Sequence, residues 1–200
     1  MKNQSSPLRI KRYSHNLRIV MNIFYWVSIV VACVSIIAAI MINFISDSYF
    51  ILNERSIGHL GFSLDGLIKF NINDTTLQGI NMKKLYIAIL LMSALISLLI
   101  VPIFKQLVLI LKTVGVDKPF AKENAKRISI IGFVLMLSSF LLPAVQIFVA
   151  RTMIDLFKIE NVSTNYSINI PLILTGFLMF ILSGIFNYGT YLQHEYDETV

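Results

Sequence analysis

Residues Leu85 to Phe104 read LYIAILLMSALISLLIVPIF, twenty positions without a formal charge. At 1.5 Å per residue such a stretch spans roughly 30 Å as a helix, the thickness of a bilayer's hydrocarbon core. Inside lipid the backbone must satisfy its own hydrogen bonds, so the stretch is expected to be helical. Working outward, three more runs have the same character. They cover about 19–45, 128–150 and 170–192, beside 85–104 for the quoted one. The connecting segments are then 46–84, 105–127 and 151–169, with a tail at 193–200.

Composition supports that division. Of the 200 residues 56% are hydrophobic and 14% are charged, against roughly a quarter charged in soluble domains. The net charge of +6 could indicate nucleic acid. The bases flank apolar runs, however, so membrane topology accounts for them, and no direct nucleic-acid binding is expected. Lys2, Arg9, Lys11, Arg12 and Arg18 precede the first run. That run is too long for a signal-peptide core and lacks a small-x-small cleavage site, so it reads as an uncleaved anchor. Segment 105–127 carries Lys105, Lys112, Lys118, Lys122, Lys126 and Arg127. The positive-inside rule places the N-terminus, this turn and the C-terminus in the cytoplasm. Lys83 and Lys84 conflict mildly, because they would lie outside. The bias toward Ile, Asn, Lys and Phe points by association to a bacterium, and so to its cell (plasma) membrane. The one cysteine, Cys33, sits in the first run and reads as a small apolar filler.

The first outer segment has its own pattern. Leu60, Phe62 and Leu64 alternate with small or polar residues, and Ile68, Phe70 and Ile72 alternate beyond Asp65-Gly66. An Asp-Gly pair between alternating runs signals a hairpin with a type I′ turn. Tyr166 to Ile170 also alternates and is expected to add a third strand. The fold class is thus all-α integral membrane: a single membrane domain of four transmembrane helices with a small extracytoplasmic β-hairpin cap.

Small residues predict how the helices meet. Ser28, Ala32, Ser35 and Ala39 share a face of the first span, and Ser93 and Ser97 recur in the second. Gly132 and Ser139 lie seven apart in the third, as do Gly176 and Ser183 in the fourth. Close packing of this kind drives association in lipid; the competing reading is a hydroxyl-lined pore. Pro102 and Pro143 fall near span ends, where a kink is cheap. No Asp, Glu, Lys, Arg or His lies in the middle of a span, which argues against a proton-coupled pump. There is no phosphate loop, HExxH or Cys/His cluster, and His15, His59 and His194 lie in separate segments. No catalytic, cofactor-binding or metal residue is assigned. No cofactor is expected, and the chain is not expected to be an enzyme.

Two stretches carry a resemblance. GVDKPFAKENAKRISIIG runs from Gly115 to Gly132, and GIFNYGTYLQHEYDETV from Gly184 to Val200. With four spans and an outer hairpin, they resemble domain-of-unknown-function family 2975, uncharacterised bacterial membrane proteins. The resemblance covers nearly the whole chain. Its turn motif, PF-x-x-EN, falls on Pro119, Phe120, Glu123 and Asn124. Its tail motif falls on Ile185, Phe186, Tyr188, Gly189, Leu192, Gln193, Glu195, Asp197, Glu198, Thr199 and Val200. Family members often carry Ser or Thr after the PF pair, as a helix cap. Here Ala121 stands instead, so Asp117 is expected to cap an earlier-starting helix with Pro119 in its first turn.

The family has no settled activity, and members are often encoded beside a small helix-turn-helix regulator. The resemblance therefore implies a non-enzymatic accessory or signalling partner of such a regulator, in contact with the lipid bilayer. The candidate interaction motif is Pro119, Phe120, Glu123, Asn124, Tyr188, Gly189, Leu192, Gln193, Glu195, Asp197 and Glu198. In this reading Phe120 and Leu192 anchor the turn and the tail. The acids of the tail either dock a partner or clamp onto Lys118, Lys122, Lys126 or Arg127. The alternative function is a small transporter, or an immunity protein against a membrane-active peptide, working through the small-residue seams. Homo-oligomerisation stays open.

Overall fold

The computed structural model describes residues 6–52, 60–64, 68–72, 79–116, 118–158 and 163–199. Along the chain come α1 (Ser6–Ile42), a 3-10 turn (Asp47–Phe50), β1 (Leu60–Leu64), β2 (Ile68–Ile72), α2 (Lys83–Val114), α3 (Lys122–Phe157) and α4 (Ile170–Thr199). All four α-helices are long and apolar enough to cross a membrane, and the chain is on that basis a multi-pass membrane protein. The helices outrun the apolar spans: α2 continues to Val114 and α4 to Thr199. Pro102 and Pro143 therefore lie inside helices rather than near their ends.

Residue contacts divide the chain into two compact units. The first comprises Met1–Val31, Ile96–Leu141 and Ile168–Val200, and the second Ala32–Leu95 and Leu142–Ser167.

In the first unit α3 and α4 run antiparallel along a seam with a repeat of seven. The backbone N–H of Asn169 donates to the Ser139 carbonyl at 3.2 Å. Seven residues on, Gly176 lies against Gly132, and a Cβ added to either would stand 2.9 Å from the other's carbonyl oxygen. Seven further, Ser183 Oγ donates to the Ala125 carbonyl at 2.7 Å. Seven residues fall within about 20° of two full helical turns, so positions spaced by seven keep close to one face over several turns. The seam begins at a proline. Pro143 has no N–H, so the Ser139 carbonyl four residues earlier loses its intrahelical donor. Asn169 supplies the replacement, as backbone freed by proline in lipid requires.

Asn169 also explains a correction. Tyr166 to Ile170 does not form a third strand: residues 163–169 are irregular, and Ile170 opens α4. The Asn169 side chain caps that helix by accepting from Leu172 N–H at 3.2 Å. Pro171, fixed near helical φ in the first turn and without an N–H to give a ladder, favours the same outcome.

The described strands form a two-stranded antiparallel sheet in which Leu60 pairs with Ile72, Phe62 with Phe70 and Leu64 with Ile68. The two alternating runs are thus partnered with each other. The last pair, Leu64 with Ile68, leaves three residues between them. A two-residue type I′ turn on Asp65-Gly66 would have paired Leu64 with Leu67 instead, so the register corrects that expectation. Asp65 and Gly66 themselves lie outside the described residues. So do Lys2, Arg55, His59, Asp117, Val200 and the Asp197 side chain.

The second unit holds the other ends of α1, α2 and α3. Ala32, Ser35 and Ala39 of α1 are buried, as expected for a seam, and Ser35 Oγ donates to Ser93 Oγ at 3.1 Å. After α1, Asn43 Nδ2 returns to the Ala39 carbonyl at 2.8 Å, satisfying one of the helix's unpaired terminal acceptors. Met82, Leu85 and Phe157 form an apolar cluster, with Leu52, Ile80, Val149, Met153 and Leu156 packed on it.

Lys83, one of the two bases in conflict with the charge rule, is consumed here. Its Nζ donates to Asp47 Oδ1 at 2.7 Å and to the Ile45 carbonyl at 2.8 Å, and stands 6.0 Å from the Phe50 ring centroid. The hydrogen bond and charge of Lys83 hold the Asp47 carboxyl below its ordinary range. A carboxylate with a lowered folded pKa stabilises above its unfolded pKa and ceases to as pH falls through the folded value. Lys83→Met is therefore expected to lower the unfolding temperature at pH 7, and the gap to wild type should narrow as pH falls below the ordinary carboxylate value of 3.8, the bond to the Ile45 carbonyl persisting. A gap unchanged over that range would remove the ion pair from the account.

Candidate functional site

The turn between α2 and α3 and the C-terminal half of α4, all in the first unit, bring most of the candidate residues together. The turn is built on reused carbonyls. Val116 N–H and Lys118 N–H both donate to the Thr113 carbonyl, at 3.2 and 3.0 Å. Helix α3 then starts at Lys122, with Ala121 in the cap position and its carbonyl accepting from Asn124 N–H at 2.8 Å. The expectation of an earlier start at Asp117, with Pro119 in the first helical turn, is thus corrected. Ala121 has no side chain with which to cap.

Asn124 instead organises the turn from the third helical position. Its side chain is fully buried, at 0% exposure. Nδ2 donates back to the Pro119 carbonyl at 2.9 Å and to Thr113 Oγ1 at 2.7 Å. Oδ1 accepts from Arg127 Nη1 at 2.8 Å. Thr113 Oγ1 donates to the Ile110 carbonyl at 2.7 Å, and Arg127 Nη1 also reaches the Leu109 carbonyl at 3.2 Å. One amide therefore ties the turn, the end of α2 and the start of α3. A side chain reaching back from this position resembles one half of a capping box, with the carbonyl rather than the N–H as its target.

Phe120 links the turn to α4. Its ring lies 5.5 Å from that of Phe186, centroid to centroid. Gly189 passes so close that an added Cβ would come within 2.7 Å of Phe120 Cδ1. Thr190 Oγ1 stands 2.8 Å from the Phe120 carbonyl and 2.9 Å from that of Phe186, and can donate to either. Thr190 is one more step of seven from Ser183, so the α3–α4 seam ends on this turn. Beside it Lys118, Phe120, Ala121, Thr190, Gln193 and His194 line a depression of about 220 Å³.

The other candidates fall elsewhere. Glu123 is exposed, with no ion pair among the described residues. Tyr188 and Leu192 are 63% and 46% exposed on other faces of α4, and Tyr188 stacks on Tyr191. Phe120 makes its contacts on α4 with Phe186 and Gly189. Glu195 accepts from Tyr191 Oη at 3.0 Å, and Glu198 pairs with His194 at 3.2 Å, each one turn away on the same helix. Among the described residues no ion pair joins Glu195 or Glu198 to Lys118, Lys122, Lys126 or Arg127, so the clamp between tail and turn is not formed by them. Nor, among the described residues, do three His, Cys, Asp or Glu side chains gather as a metal set would require.

Sequence reading missed Thr113 and Thr190. Thr190 could have been found, because it extends the Gly176–Ser183 spacing. Thr113 carries no such signal, since it is selected by where the Asn124 amide arrives.

The family described as "Protein of unknown function (DUF2975)" matches residues 71–200. That range holds both motifs and three of the four membrane-length helices, and leaves α1 and β1 outside, so the match is shorter than the near-complete one expected. No curated protein and no solved structure matches the chain. The chain belongs to the DUF2975 family.

Proposed function

We propose that this member of the DUF2975 family is a non-enzymatic accessory or signalling protein. Its turn and α4 tail would hold a small cytoplasmic helix-turn-helix regulator at a bacterial cell membrane. The observation that carries the reading is the reach of α4. The helix continues to Thr199, nine residues beyond the Thr190 hydroxyl that reaches the Phe120 carbonyl of the turn. Tyr191, Leu192 and Tyr196 there are 58%, 46% and 71% exposed. A helix that runs on past the turn while presenting exposed aromatic and acidic side chains suits a partner with a basic surface.

The orientation belongs to the same proposal. The turn end carries exposed Lys105, Lys112, Lys118, Lys122 and Lys126, which favours the cytoplasm. The opposing Lys83 is already paired with Asp47. The hairpin would then cap the extracytoplasmic side. The transporter or immunity reading draws less support, because the seam hydroxyls are engaged in packing: Ser35 with Ser93, and Ser183 with the Ala125 carbonyl.

Co-purification tests the proposal. Tagged full-length protein is expected to retain the co-encoded regulator, and a chain ending at Gln193 is expected to lose most of it at equal expression. Equal recovery by both chains would sink the docking role.

A further inference from the structure

The turn leaves one cation partly uncommitted. Arg127 uses only Nη1 in hydrogen bonds among the described residues, to Asn124 Oδ1 at 2.8 Å and the Leu109 carbonyl at 3.2 Å. Its Nε and Nη2 have no such partner. They are also not buried, because no buried side-chain nitrogen or oxygen among the described residues is left unpaired. Nε–H and Nη2–H lie on the same edge of a guanidinium. They form the parallel pair that meets two oxygens of one phosphate or carboxylate. The two bonds at Nη1 restrain the guanidinium and leave that edge available.

Depth and charge name the occupant. Arg127 is followed directly by Ile128, 4% exposed, and the apolar part of α3. The guanidinium therefore stands where apolar helix gives way to polar chain, at the level of lipid headgroups. Lys105, Leu109 and Lys112 are spaced four and three apart, so two exposed lysines flank on one face of α2 the residue whose carbonyl Arg127 touches. Lys126 is exposed beside it on α3. Glu123, one turn back, makes no ion pair with Arg127 among the described residues. Such a basic cluster at the interface favours anionic lipid.

We propose that Arg127, flanked by Lys105 and Lys112, binds the headgroup phosphate of an anionic phospholipid between the inner ends of α2 and α3. The site does not depend on the docking role of the tail. It would make an anionic headgroup part of the turn that Asn124 organises.

Native mass spectrometry of the full chain tests this, in micelles holding equal amounts of phosphatidylglycerol and phosphatidylcholine. Wild type is expected to retain phosphatidylglycerol over phosphatidylcholine by about tenfold, roughly 1.4 kcal/mol. Arg127→Gln keeps a donor for Asn124 but removes both the charge and the paired edge, and should reduce that preference severalfold. Its unfolding temperature, measured alongside, reports whether the fold survives. If it does not, Lys105→Gln/Lys112→Gln, which leaves the Asn124 bonds intact, is expected to reduce the preference severalfold. No preference in wild type, or an unchanged one in a folded Arg127→Gln, overturns the proposal. So does protection against thermal unfolding by inorganic phosphate equal to that by phosphatidylglycerol, which would mark a free-anion site.

Discussion

Replacing Gly176 with leucine is expected to abolish recovery of folded protein. At Gly176 an added Cβ would stand 2.9 Å from the Gly132 carbonyl oxygen and 2.5 Å from Met136 Cγ. The first of these is backbone, which cannot swing aside, so α4 would have to leave α3. The neighbouring steps of the seam, Asn169 to Ser139 and Ser183 to Ala125, are hydrogen bonds to carbonyls and would part with it. Alanine at Gly176 is a graded form of the same test. It gains about 1 kcal/mol of helix propensity, yet the forced displacement should outweigh that and destabilise by about 1–3 kcal/mol. Gly184 provides the contrast on the same helix, since nothing lies within 4 Å of an added Cβ there. Gly184→Ala is expected to be neutral or slightly stabilising. Thermal unfolding in detergent separates the two, and equal effects at Gly176 and Gly184 would remove the seam from the account.

Asn124→Ala is expected to cost about 2–4 kcal/mol, read as a lower unfolding temperature. The substitution removes the amide's bonds to the Pro119 carbonyl, the Thr113 hydroxyl and Arg127 Nη1; Thr113 and Arg127 keep the Ile110 and Leu109 carbonyls, and the Pro119 carbonyl loses its side-chain donor. Buried groups left without partners cost about 1–3 kcal/mol each, less what water recovers. Glu123→Ala, one residue away and exposed, should stay within about 0.5 kcal/mol. The pair distinguishes the two polar residues of the turn motif. Asn124 organises the turn, whereas Glu123 is free to face a partner or the solvent. If Glu123→Ala alone abolished regulator capture while leaving stability intact, the docking surface would extend from the tail onto the turn.

The fate of the motif residues follows the same line. Phe120 and Gly189, far apart in sequence, meet because a ring needs a gap and glycine leaves one. Tyr188 and Leu192, adjacent to that contact in sequence, point elsewhere because a helix turns about 100° per residue. The acids of the tail looked complementary to the bases of the turn. Glu195 and Glu198 instead have partners one helical turn away on α4. Local pairs of this kind form without ordering a second segment, and surface ion pairs add too little to overcome that advantage.

What the sequence determined by itself was whatever depends on solvent and period. Hydrocarbon excludes unpaired backbone, so uncharged runs of membrane length became helices. Alternation of apolar residues set Phe62 opposite Phe70, and small residues seven apart set Gly132 against Gly176. The tertiary structure alone decided which specific donors meet which acceptors. Pro143 frees the Ser139 carbonyl, and only the fold brings Asn169 to it. Ala121 leaves a cap empty, and only the fold lets Asn124 close that turn through Pro119 and Thr113. Burial patterns repeat along a chain and can be read from it. A hydrogen bond depends on the position of two atoms from distant segments, and that is fixed only when the helices have packed.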